Sequence, residues 1–341
     1  MTCMTTKTKI ITMTMTMTMT MTMTMTMTHG IYPVVHTPLH GDESIDFDGL
    51  KACLEYYNQT DLPGVTLLGS GGELPYFSDS EQYDIIKAAF NYLDRSKSII
   101  AGVHVYSSTQ AIDKIASYST YVDYILLLVP DYYQSTFEDY LQTLECIAQH
   151  SAKPILFYYF PKITQKSFTS EQLITILSID NIIGIKDSSV HIPTAKRILS
   201  NVPDTLYFSG LSLLLEPMIK LGAVGAICPI ASVLPQQAHE YFCAIKNSDK
   251  NLTKYRAPLK RMLPIVNALN LSEKTQYLAL SLLSASPVKL IKNVTSSHAK
   301  IKEALRFKGL PIQRTVRAPL PSLSDTEAEK IALIMDDLAS L

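Results

Sequence analysis

The chain has 341 residues with 30 basic and 31 acidic side chains, 47% hydrophobic and 18% charged, which excludes both a binder of nucleic acid through bulk positive charge and a chain too polar to bury a core. Ten of the 13 methionines fall in the first 28 residues, so the composition describes two objects; with Lys7 and Lys9 set aside, the body carries 28 basic and 31 acidic residues, a net charge of −3. Five scattered cysteines without a CxxC pair, and no run of about 18 apolar residues, argue against a disulfide framework, a thiolate zinc site and a membrane span, and point to the cytoplasm.

The first object, residues 1–29, is a low-complexity tail that reads Met-Thr eight times between Met13 and Thr28. Strict alternation would make a half-apolar strand if it had a partner, but the tract has no charge, turn or packing variety, so it is expected to be disordered and without a function of its own. Lys7 and Lys9 ahead of this run do not make it a secretory signal, because threonine at every second position gives a poor apolar region and no small-x-small cleavage site follows.

From Gly30 onward, short apolar runs alternate with longer amphipathic ones. The short runs are residues 31–35, 65–68, 99–103, 124–129, 154–159, 182–185, 206–209 and 224–228. Each is continuously apolar, as a strand buried on both faces must be. Their mean spacing is close to 28 residues, the length of a strand plus a crossover helix. Between them, residues 46–58 place Phe47, Leu50, Leu54 and Tyr57 on one helical face, and Ser78 with Glu81 opens the next helix as a capping box. No GxGxxG follows the first strand, and eight such units favour an α/β fold closed as a (β/α)8 TIM barrel over residues 30–250. Beyond it, residues 251–341 read as a C-terminal helical subdomain, with helices at 259–283, 298–307 and 325–341 and a proline-rich link at 311–321.

A barrel of this kind carries its active site at the C-terminal ends of its strands. The sixth strand ends in Lys186-Asp187, placing an amine in a poorly solvated mouth where it can form a Schiff base with a carbonyl substrate; a structural Lys186–Asp187 pair is the competing reading. The fifth ends in Tyr158-Tyr159, either of which could relay protons or simply fill the core, and periodicity does not choose between them. The second runs into Gly69-Ser70-Gly71-Gly72-Glu73, a turn whose backbone N–H groups and hydroxyl suit a carboxylate, or a plain tight turn; no GKS or GKT follows, so it is not a P-loop. His36, His40, His104 and His191 also fall near strand ends, but no HxH or HExxH spacing supports a metal, and they read as solvated or core histidines.

Taken in order, these segments resemble the dihydrodipicolinate synthase / N-acetylneuraminate lyase family of pyruvate-dependent class I aldolases. The matching segments are Gly30-Ile-Tyr-Pro with Thr37-Pro38, Gly69 to Glu73, Ala101-Gly-Val with Ser108 to Ile112, Val129 to Tyr133, Tyr158 to Pro161, Gly184 to Asp187, Ser209-Gly210 and Gly222 to Cys228. The resemblance implies that Lys186 forms the imine, that Tyr158 is the proton relay, and that Tyr133 enters a neighbouring subunit's site. It further implies that Ser70, the N–H of Gly71 and a backbone group of Ile227 hold the pyruvate carboxylate. The implied partners are pyruvate and an aldehyde, with no nucleic acid and no membrane, in a homo-oligomer, dimer or tetramer. No metal or organic cofactor is implied, because the protonated imine does the polarising.

The departures bear on the substrate. Ile163 stands where dihydrodipicolinate synthases typically carry an arginine, which looks more like the 2-keto-3-deoxy sugar acid aldolases. Gly71 replaces the turn's second hydroxyl residue, Tyr159 a usual asparagine and Ser212 an expected acid, so the pocket is expected to be less polar than in well-known members. Reversible aldol cleavage of a 2-keto-3-deoxy sugar acid or a related compound is the leading expectation. The alternatives are 4-hydroxy-tetrahydrodipicolinate synthase activity, from pyruvate and aspartate semialdehyde, and a non-catalytic pyruvate-binding homologue.

Overall fold

In a computed structural model describing residues 27–130, 132–189, 191–266 and 297–340, the eight expected strands form one parallel sheet. They are β1 (Gly30–Pro33), β2 (Gly64–Leu67), β3 (Ser98–His104), β4 (Tyr124–Leu128), β5 (Ile155–Tyr159), β6 (Ile182–Asp187), β7 (Leu206–Ser209) and β8 (Gly225–Cys228). Consecutive strands pair from β2 to β8, and β8 returns to β1 with Gly30 opposite Gly225. The ring closes between β1 and β2 through a bridge of Val34 with Thr66, where the Val35 N–H donates to the Thr66 carbonyl at 2.9 Å. The architecture is the expected (β/α)8 TIM barrel, with every predicted strand found and its ends within two residues.

Continuous apolarity of the strands has a direct cause: each one fills two cores. Side chains alternate across a strand, so one set points into the barrel, where Tyr32, Val34, Ile100, Leu126, Leu156, Tyr158, Phe208 and Ile227 form an inner cluster. The other set, including Ile31, Val65, Ala101, Leu127, Phe157, Ile185 and Tyr207, meets the surrounding helices in the main cluster. Close strand approach is written into Gly102 of β3, where an added Cβ would lie 1.8 Å from the Leu68 carbonyl oxygen.

The helices start where the sequence places their caps. Asp46 accepts from the Gly49 N–H at 2.8 Å to open Phe47–Asn58, and Ser78 with Glu81 completes the capping box of Asp79–Tyr92. Residues 1–26 of the expected tail lie outside the described residues. Its last methionine, Met27, is buried in the inner cluster, and the Tyr32 hydroxyl donates to the Thr28 carbonyl at 2.9 Å. The end of the repeat thus packs into the barrel interior, where the flexible apolar side chain of Met27 fills space beside the inner cluster.

After β8 come the helices Pro235–Lys246, Leu252–Arg261, Leu263–Val266, His298–Phe307 and Asp325–Ala339. The expected helix at 259–283 lies mostly outside the described residues; the described part begins at Leu252 and is interrupted at Met262. His298–Phe307 matches its expected span and packs against Asp325–Ala339. No helix among the described residues is long and apolar enough to cross a membrane.

Candidate active site

The C-terminal ends of β2, β3, β4 and β5 surround a cleft, and the residues singled out from the sequence divide there by strand parity. Lys186 and Asp187 are neighbours on β6 and so face opposite ways. Lys186 points inward, 4% exposed, with its ammonium nitrogen 4.1 Å from the centroid of the Tyr158 ring. It makes no hydrogen bond or ion pair among the described residues. Asp187 points outward and accepts from the Tyr207 hydroxyl and, at 2.7 Å, from the Ser189 N–H. Burial pushes the Asp187 carboxyl above its ordinary value, with those hydrogen bonds opposing the rise. Asp187 therefore secures the exit of β6, and Lys186 is left to the interior rather than tied to its neighbour.

The same parity settles the two tyrosines of β5. Tyr158 lies in the inner cluster, and its hydroxyl is 2.9 Å from the Ser70 Oγ, the two sharing a hydrogen bond. Tyr159 lies in the outer cluster beside Phe168, whose N–H donates to the Tyr159 hydroxyl at 3.2 Å. Lys186, Tyr158 and Ser70, from three strand ends, are thus linked in a row, with Lys186 against the ring of Tyr158 and Ser70 on its hydroxyl.

Ser70 opens a single 3-10 turn, Ser70–Gly72, closed by a 2.9 Å hydrogen bond from the Gly72 N–H to the Gly69 carbonyl. Why glycine follows Ser70 is visible in the packing: an added Cβ at Gly71 would sit 2.9 Å from Val34 Cγ1 and 3.3 Å from His36 Nε2. A second hydroxyl residue would displace side chains of the segment that follows β1. Ile227 on β8 is fully buried in the inner cluster with Tyr158 and Phe208. Tyr133 is placed differently. It projects from the loop after β4, 82% exposed, against Tyr132 at 4.9 Å between ring centroids, and does not line this chain's own cleft.

Three features of the cleft have no signal in the sequence, or a misread one. The turn is held from the C-terminal helix His298–Phe307, where the His298 Nε2 hydrogen-bonds the Ser70 carbonyl at 2.7 Å across 228 residues of chain. One helical turn on, Lys302 is fully buried and paired with Glu73 at 2.5 Å, and Glu73 also accepts from the Arg317 N–H at 3.0 Å. Contacts so remote in sequence leave no local pattern to read. The third is His104, read above as a solvated or core residue. It ends β3 and lines the cleft with Ser70, Tyr158 and Ile163, and its buried Nε2 has no hydrogen-bond partner among the described residues. Its position at a strand end was the available signal.

Of the other strand-end histidines, His40 is half-exposed near Asp46, and His191 and His36 serve the scaffold. His191 accepts from the Thr194 N–H at the start of Ile192–Asn201, and His36 is buried with Nδ1 3.1 Å from the Val34 carbonyl. Burial, then the neighbouring His298 and Lys302, hold the His36 imidazole well below its ordinary range. Among the described residues no group of three or more His, Cys, Asp or Glu side chains is arranged to hold a metal ion.

Comparison with known proteins follows the same outline. Residues 27–284 match the family described as the dihydrodipicolinate synthetase family. The chain is 28% identical over 315 residues to a 4-hydroxy-tetrahydrodipicolinate synthase of Methanothrix thermoacetophila, covering 92% of this chain and 97% of that protein. It is 24% identical over 314 residues to an uncharacterized DapA-like lyase of Halobacterium salinarum, covering 92% and 95%. Among solved structures, it superposes on YagE of Escherichia coli K12, a prophage protein of the dihydrodipicolinic acid synthase family crystallised with pyruvate, with a TM-score of 0.77 at 22% identity and coverage of 91% and 98%. A putative dihydrodipicolinate synthetase of Pseudomonas aeruginosa gives 0.76 at 18% identity, covering 91% and 99%.

Proposed function

The chain belongs to the dihydrodipicolinate synthetase family, and we propose that it is a class I aldolase in which Lys186 forms a Schiff base with pyruvate or with the 2-keto acid that yields it. One observation carries the reading: a buried lysine without an anionic partner among the described residues stands against the face of Tyr158, whose hydroxyl is bonded to Ser70. A buried ammonium ordinarily finds a counter-charge. One at the end of a barrel strand with no anion beside it is placed to serve as a nucleophile.

The chemistry balances without a further reagent. The Lys186 amine adds to the C2 ketone and water leaves, giving the protonated imine. In the synthetic direction C3 loses a proton to form the enamine, its electron pair makes the new bond to the aldehyde carbon, and the aldehyde oxygen takes up a proton. Water then hydrolyses the imine. Cleavage runs the same steps backwards. Tyr158, bonded to Ser70, is the group placed to carry the proton. Ser70 and the Gly71 N–H hold the keto-acid carboxylate, with the Ile227 backbone beside it.

Ile163 on the cleft wall, in place of a cation, favours a 2-keto-3-deoxy sugar acid or a related compound over aspartate semialdehyde as the source of the second carbon skeleton. Tyr133, exposed with Tyr132 and Tyr106, fits a role at a subunit contact in a homo-oligomer, where an exposed aromatic group would be covered. Borohydride added with pyruvate should leave one reduced adduct, located by mass spectrometry on the peptide containing Lys186. An unmodified Lys186 under saturating pyruvate overturns the proposal.

A further inference from the structure

The space beyond the Ser70–Tyr158 pair is walled by β3, β4 and the segment after β5. Its sides are Leu68, Leu74, Val103, Leu126, Leu128 and Ile163. Only three polar side chains line the cleft among the described residues, and two of them, Ser70 and Tyr158, are bonded to each other. The third is His104, the last residue of β3, set opposite Leu128 in the ladder. Its Nε2 is buried and bonded to nothing described, in a wall that is otherwise hydrocarbon. Buried polar atoms are almost always satisfied, and an orphan in a cleft is most simply completed by what the cleft binds.

With pyruvate fixed at Lys186, the part of the substrate left to occupy this wall is the aldehyde half. No lysine or arginine lines it among the described residues. A carboxylate there would lose its water without gaining a counter-charge, whereas a hydroxyl needs one hydrogen bond and the imidazole has one to give or receive. Resting on the aldolase reading above, we propose that His104 is the specificity-determining residue of this cleft, its Nε2 hydrogen-bonding a hydroxyl of an uncharged hydroxyaldehyde while the apolar wall rejects aldehydes that carry a carboxylate. Burial, and then the positive charge of Lys114, hold the His104 imidazole below its ordinary value, which keeps it in the neutral form suited to a hydroxyl.

The test uses the full chain and pyruvate with three aldehydes: glyceraldehyde, propionaldehyde, which lacks both of its hydroxyls, and glyoxylate as the carboxylated probe. Pyruvate consumption gives kcat/KM for each, and borohydride trapping with pyruvate alone is run in parallel. The unsubstituted chain should favour glyceraldehyde over propionaldehyde by about tenfold or more, as expected when the analogue has no hydroxyl to meet the imidazole. Glyoxylate should be poorer than glyceraldehyde. In His104→Leu the first ratio should collapse toward one with pyruvate trapping at Lys186 unchanged, and His104→Asn, which keeps a hydrogen-bonding group, should recover part of it. Trapping that is intact with the ratio unaltered in His104→Leu, or glyoxylate as the best acceptor, overturns the role of His104 alone. Absence of trapping in the unsubstituted chain removes the aldolase reading on which it rests.

Discussion

Among the described residues two lysines are withdrawn from water, and their surroundings are opposites. Lys302, on the helix His298–Phe307, is fully buried against Glu73 and also donates to the Thr315 carbonyl at 2.7 Å. Burial pulls its amine below the ordinary value while Glu73 opposes the shift. Lys186, on β6, has the π face of Tyr158 in place of a carboxylate. The first arrangement fastens the C-terminal helix to the turn that follows β2. The second leaves a buried amine against an aromatic ring, for which we propose the role of nucleophile. The two buried lysines differ in whether the fold supplies a counter-charge, and residue type alone does not say which has one.

The contrast can be broken at either end. The largest effect is expected from Lys186→Met: turnover and borohydride trapping should vanish while the thermal midpoint holds or rises, because no ionic partner is orphaned. A fall in stability together with activity would make Lys186 a structural residue like Lys302. Next, Tyr158→Phe removes the hydroxyl bonded to Ser70 and should lower kcat by about 10²- to 10⁴-fold, the range for a positioned proton-transfer group, with trapping of pyruvate retained. A variant with near-normal kcat would show that the proton travels another way.

Lys302→Met should do the reverse of Lys186→Met. It leaves the Glu73 carboxylate buried and should destabilise the fold by about 3–5 kcal/mol. Pairing it with Glu73→Gln should restore much of the loss, and denaturant midpoints for the single and double variants would show whether the pair behaves as a unit. The smallest effect concerns His36, which packs beside Gly71 of the same turn and faces His298 and Lys302. Its folded-state value is depressed, so the unfolded chain takes up a proton that the folded chain refuses as pH falls below about 6.5. Stability is therefore retained above that pH and declines beneath it, by at most about 1.4 kcal/mol per pH unit from this group. Denaturation midpoints between pH 7.5 and 5.5 should fall, and His36→Gln should flatten the decline; an equal slope in the variant would assign the proton elsewhere.

How far the sequence reaches differs along the chain. Strands were legible because burial on both faces writes an uninterrupted apolar run, and helix starts because caps are local: Ser78 with Glu81 is a four-residue pattern that needs nothing distant. Lys186 stood out for the same reason, as a charge at the end of such a run. Periodicity does not choose between Tyr158 and Tyr159, since both are aromatic; the family resemblance points to Tyr158, and the register of β5 against β6 puts that residue on the inner face with Lys186. His104 was seen as a strand-end residue, but its orphaned nitrogen exists only once the cleft is assembled. The Met/Thr repeat misled at its last turn, where Met27 packs into the barrel interior beside the inner cluster.

The sequence by itself determined the barrel, the order of its strands and the lysine to watch, since these follow from patterns spanning fewer than about thirty residues, the length of a βα unit. Only the tertiary structure decided what surrounds that lysine. The C-terminal helix contributes His298 and Lys302 to a turn some 230 residues earlier in the chain, and β5 places Tyr158 beside both Ser70 and Lys186. Electrostatics and hydrogen bonding act through space, so counter-charge, orphaned atoms and shared protons are properties of neighbours that the chain brings together only when it folds.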